Sequence, residues 1–172
     1  MSGAKKTAFA GVFTALCFVF LFIGSIVGTL DLSSAALAGF AIMIALIELG
    51  KGYAFGVYAA ASVLSAFLLP DKAPAVYFIL FSGYYPVVKV FLNRITPKWL
   101  SYAARFAVFN TAAAACGFVF VKLLSAEIEA SAVTALLLVA ANVVFAVYDL
   151  ALERASVFYA ERLRKRIFKG RR

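Results

Sequence analysis

The chain has 172 residues, 65% of them hydrophobic and 15% charged, with a mean hydropathy of +0.99 and a net charge of +9. A soluble domain is about half apolar and about a quarter charged, so the apolar excess here has to face lipid, which excludes a soluble globular enzyme. The absence of His removes imidazole acid–base chemistry, and Cys17 and Cys116 sit singly in apolar runs, so no transition-metal set and no cofactor is expected.

At roughly 20 residues per crossing, the chain has room for six spans, short connections and no separate catalytic domain. The apolar stretches are long and continuous, which predicts helices instead of the alternating strands of a barrel. Lys5 and Lys6 precede the first span, Thr7–Leu30, which is too long for a secretory signal core of about 7–15 residues and reads as a retained helix. Asp31 closes it. The second span, Leu32–Gly50, carries Glu48 near its end, and Lys51-Gly52 reads as a tight break before a third span, Tyr53–Leu69. Two prolines bracket Asp71 and Lys72 in an evident turn. The fourth span, Ala75–Leu92, contains Pro86, which frees a carbonyl and kinks the helix. Loop 93–99 ends in Trp99, a residue type suited to the interface. The fifth span is Leu100–Leu124 and the sixth Ala132–Leu150, followed by a basic helical segment, 151–172.

Placing the N-terminus in the cytoplasm puts every Lys and Arg on the inner side except Lys72 and Lys122. By the positive-inside rule both termini are therefore expected in the cytoplasm of a multi-pass plasma-membrane protein. Cys17 and Cys116 read as small apolar packing residues.

This topology sets Glu48, Lys89, Arg105 and Asp149 at similar depth, two acids and two bases in one layer. Charges at membrane depth are paired or face water, so the layer is either a gate or an interhelical salt-bridge lattice, the latter being the simpler reading. Asn110 and Asn142 lie near mid-membrane, where amides bond across helices or hold a ligand. The run Phe81-Ser82-Gly83-Tyr84-Tyr85-Pro86 predicts local unwinding, and Ser82, Tyr84 and Tyr85 with the two Asn are the candidate solute-binding residues.

Small residues recur at four-residue spacing as Thr7, Gly11 and Ala15, and as Gly52, Gly56 and Ala60. Such stripes let helices approach closely; internal packing is expected for the second, and contact with another membrane protein for the first. The tail is dense in Arg162, Arg164, Lys165, Arg166 and Lys169, and anionic headgroups attract each charge by about 1 kcal/mol. It reads as a membrane-surface anchor, and the positive net charge accordingly carries no nucleic-acid reading. No nucleophile elbow, P-loop or HExxH motif is present, so no enzymatic activity is expected.

In size, span number, orientation, and a basic start before an alanine-rich first helix, the chain resembles the substrate-binding S components of energy-coupling factor (ECF) transporters of bacterial cell membranes. In that family a small-residue surface on the first helix contacts a transmembrane coupling subunit, and Thr7, Gly11 and Ala15 are similar to it. The resemblance implies a micronutrient bound from outside and separate ATPase subunits. The outer turns at Asp31 and Pro70–Pro74 are shorter than is usual there, which points to a small or apolar solute. A stand-alone transporter or channel and a membrane scaffold remain the alternatives.

Overall fold

The computed structural model describes residues 3–123 and 132–163. Helix α1 spans Gly3–Ile26, α2 Asp31–Leu49 and α3 Lys51–Leu68. The fourth crossing is divided into α4 (Ala73–Tyr77), a π-helical turn (Phe78–Ser82) and α5 (Tyr85–Leu92). Helix α6 spans Lys98–Leu123, and α7 (Ala132–Phe158) is extended by a second π turn, Tyr159–Leu163. Six helical units have the length and apolarity to cross a bilayer, and no strand occurs among the described residues. The chain is thus an all-α membrane protein of six candidate spans.

The boundaries shift where local backbone chemistry decides them. The break between the second and third spans falls at Gly50 and not at Lys51-Gly52. Gly50 adopts φ +91°, a region that side chains disfavour, donates its N–H to Leu46 O at 3.2 Å and accepts from Ala54 N–H at 3.1 Å. One residue therefore ends α2 and starts α3. The first helix stops at Ile26, four residues before the expected end, and 27–30 form the turn. The last helix, by contrast, runs on past Leu150 to Phe158 as expected, since residues 151–158 contain neither Gly nor Pro to stop it.

The break in the fourth crossing occurs as expected and begins earlier. Pro86 has no N–H to offer the Ser82 carbonyl, and the Gly83 N–H reaches five residues back to Phe78 O at 2.9 Å. The helix restarts with Val87 and Val88 both donating to Tyr84 O, at 3.0 and 3.1 Å.

Two cores hold the bundle, and α2 contributes to both. On one side, Cys17 and Leu21 of α1 pack with Ala35, Ala38 and Ile42 of α2 and with Ala54, Val57 and Ala61 of α3. Small side chains let these helices lie close. On the other side, Met43 of α2, Tyr85 of α5, Phe145 and Leu152 of α7 form a core with Phe81, Phe106, Phe109 and Tyr148 packed against it. The rings stack or meet edge to face, as with Phe109 and Phe145 at 4.5 Å between centroids. Gly39 lies where the two meet. A Cβ there would collide with the Tyr148 hydroxyl and stand 2.7 Å from Ser82 O, so the close approach of α2 to the π turn requires glycine.

One packing expectation is overturned. Gly52, Gly56 and Ala60 are exposed, because α3 buries Ala54, Val57, Ala61 and Ser65 on nearly the opposite face. Thr7, Gly11 and Ala15 are exposed too, about a third of a turn from the face of α1 that buries Cys17, Leu21 and Gly24. Both cysteines are free and buried, as their packing role predicts.

Candidate functional site

The densest polar chemistry among the described residues lies where α5, α6 and α7 meet. Each helix contributes two side chains one turn apart: Tyr85 and Lys89, Ser101 and Arg105, Asp149 and Glu153. Spacing of four places each pair on one helical face, and the three faces converge on the Asp149 carboxylate. Its Oδ1 accepts from Tyr85 Oη at 2.6 Å and pairs with Lys89 Nζ at 2.7 Å, while Oδ2 accepts from Arg105 Nη1 at 2.8 Å. Lys89 Nζ also donates to the Asp149 main-chain oxygen at 2.5 Å. Lys89 and Arg105 are each only 6% exposed and Asp149 7%.

Arg105 is tied a second time. Its Nη2 donates to Asn93 Oδ1 at 2.5 Å and approaches Ser101 Oγ at 3.5 Å, and the Ser101 hydroxyl in turn donates to Leu92 O at 2.8 Å. The guanidinium also lies over the Tyr102 ring, 4.8 Å from its centroid. Glu153 stands farther off, 3.8 Å from Lys89 and 3.9 Å from Arg105, with its side chain 49% exposed.

The expected layer of two acids and two bases is thus present in Lys89, Arg105 and Asp149, with Glu153 as its second acid. Both bases pair with Asp149 and approach Glu153, and Glu48 stands one residue from the end of α2. Sequence reasoning missed Glu153, Ser101 and Asn93 and placed Tyr85 with the solute-binding residues. The repeated four-residue spacing was the signal that joins Glu153 to Asp149 and Tyr85 to Lys89. Chemically the cluster is a clamp. Donors from Tyr85, Lys89 and Arg105 converge on one carboxylate, which fixes three helices to one another at one end of the bundle.

The candidate solute-binding residues have different neighbours. Ser82 is buried and donates to Ala35 O at 2.8 Å, linking the π turn to α2. Tyr84 is half-buried and meets the Tyr58 ring edge-on at 6.2 Å, and Tyr85 belongs to the clamp. Asn110 and Asn142 bond to each other reciprocally at 3.0 and 3.1 Å, and each donates its remaining amide hydrogen to a carbonyl one turn back, Phe106 O at 2.8 Å and Leu138 O at 2.9 Å. Every donor of the two amides is therefore used, which makes the pair an interhelical bridge between α6 and α7.

The α1 stripe lies open: a Cβ on Gly11 would meet nothing within 4 Å. The Arg162 side chain and residues Arg164, Lys165, Arg166 and Lys169, expected as a surface anchor, lie outside the described residues. Among the described residues no group of His, Cys, Asp or Glu has the clustering of a metal site. Compared with known proteins, the chain matches no family model, no curated protein and no solved structure.

Proposed function

We propose that this protein is a small solute-binding membrane subunit that acts with a separate coupling protein and separate ATPase subunits, in the manner of an ECF transporter S component. The observation that supports this reading is the exposed stripe of Thr7, Gly11 and Ala15 on α1. A stripe that packed inside the bundle would serve its own fold; an open one offers a flat surface to another helix. The solute region in this reading is the break at 78–84, where a helix crossing the membrane gives up regular hydrogen bonding beside Ser82 and Tyr84. Solute enters from the side of Lys72, and both termini face the partners in the cytoplasm.

The test is Gly11→Leu. Because nothing fills the space above Gly11, the isolated protein keeps its melting temperature, within about 0.5 kcal/mol of stability. Capture of the membrane partner, or solute uptake in cells, is lost. A destabilised Gly11→Leu protein that still captures its partner in full would reject the subunit reading.

A further inference from the structure

The Arg105 guanidinium is incompletely satisfied. Nη1 is held by Asp149 and Nη2 by Asn93, but Nε is buried and has no hydrogen-bond partner among the described residues. The Nε and Nη2 hydrogens lie side by side along one edge of a guanidinium, the edge that grips two oxygens of a single phosphate or carboxylate. Here the Nη2 end of that edge holds only neutral oxygens, Asn93 Oδ1 at 2.5 Å and, more loosely, Ser101 Oγ at 3.5 Å. A buried donor left unmatched costs about 1–3 kcal/mol, so a two-oxygen anion suits the edge better than Asn93 does.

The surroundings favour such an exchange. Asn93 is exposed and directly follows α5, so its side chain can leave without disturbing a helix. Lys89, Arg105, Asp149 and Glu153 together are neutral, so an added anion needs further positive charge. Arg94 in the same loop and Lys98 at the start of α6 supply it, both exposed. Trp99, 69% exposed in the first turn of α6, adds a ring of the kind that sits at headgroup level.

We propose that the Nε/Nη2 edge of Arg105 is a phosphate-binding site, opened when Asn93 swings outward and supported by Arg94 and Lys98. The phosphate is that of an anionic phospholipid headgroup or of free phosphate; the recognition chemistry is the same, two oxygens on one guanidinium edge.

Trp99 is the only tryptophan in the chain and stands in the first turn of α6, directly after the loop that carries Asn93 and Arg94, which makes it the reporter. The full chain is reconstituted in phosphatidylcholine vesicles carrying either brominated phosphatidylglycerol or brominated phosphatidylcholine at equal mole fraction. Quenching of Trp99 is expected to be at least about threefold stronger with the anionic lipid. Asn93→Asp places a permanent carboxylate on the edge and abolishes that preference. Thr96→Asp adds the same charge three residues farther along the same loop, at an exposed position, and leaves most of the preference intact. In lipid-free detergent, a Trp99 response to inorganic phosphate that Asn93→Asp removes assigns the site to free phosphate as well. Equal quenching by both lipids with no phosphate response overturns the proposal. So does an equal loss in Asn93→Asp and Thr96→Asp, which reduces the effect to general surface charge.

Discussion

Asp149→Asn is the substitution that most directly tests the clamp. The carboxylate accepts from three side chains at 2.6–2.8 Å, two of them cations that are almost fully buried. An amide of the same shape keeps one oxygen, so it can still serve Tyr85 and Lys89. Its NH₂ then faces Arg105 Nη1, donor against donor. The charge of the cluster rises from zero to +1, and Glu153, at 3.8 and 3.9 Å and half exposed, is too distant to restore the balance. Breaking a buried pair by removing one partner costs about 3–5 kcal/mol. That corresponds to roughly two to three and a half decades in the folded-to-unfolded ratio, and by soluble-domain scaling to a melting shift of about 6–12 °C for 3 kcal/mol. The protein carries its own probe. Cys17 and Cys116 are free and buried, so a thiol-reactive fluorogenic dye reports unfolding in mild detergent without added labels. Glu153→Gln is the internal comparison and is expected to cost no more than about 1 kcal/mol, because the group is half exposed and outside hydrogen-bond distance. Asp149→Asn combined with Lys89→Met restores neutrality and recovers part of the loss. Equal shifts for Asp149→Asn and Glu153→Gln, or no recovery in the double variant, would refute the argument that Asp149 holds three helices by charge.

Three further outcomes are expected. Cysteines replacing Lys72 and Lys98 differ in intact cells: the first reacts with an impermeant thiol reagent and the second does not, and labelling at position 98 reverses the orientation. Gly39→Ala lowers stability by about 1–3 kcal/mol because its Cβ meets Tyr148 and Ser82, while Gly11→Ala, with open space above it, leaves the melting curve within about 0.5 kcal/mol. Asn110→Leu alone leaves Asn142 without its cross-helix partner and costs about 0.6–1.7 kcal/mol, whereas Asn110→Leu with Asn142→Leu returns close to the parent value; a double variant worse than the sum of both singles would contradict a simple bridge.

Much of the architecture was legible along the chain, because lipid imposes it locally. A crossing helix satisfies its backbone within itself, so runs such as Thr7–Leu30 declare themselves by length and apolarity without knowledge of any neighbour. Pro86 likewise announces the break in the fourth crossing, since a missing N–H acts on its own helix. Counting residues from the span ends placed Lys89, Arg105 and Asp149 at one level, and the three side chains meet. What depth could not convey is azimuth, the direction a side chain takes around its helix. Glu153 is one of several acids near span ends, and only the packing of α7 against α5 and α6 brings it to Lys89 and Arg105. The stripes on α1 and α3 have the same sequence signature as a packed interface. Rotation of each helix, set by its contacts with the alanines of α2, turned both outward. Sequence determines which segments cross the membrane and at what level their polar groups lie. The tertiary structure decides which groups meet, because in an apolar solvent helix faces are chosen by shape and polar pairing across the bundle and not by hydrophobicity along the chain.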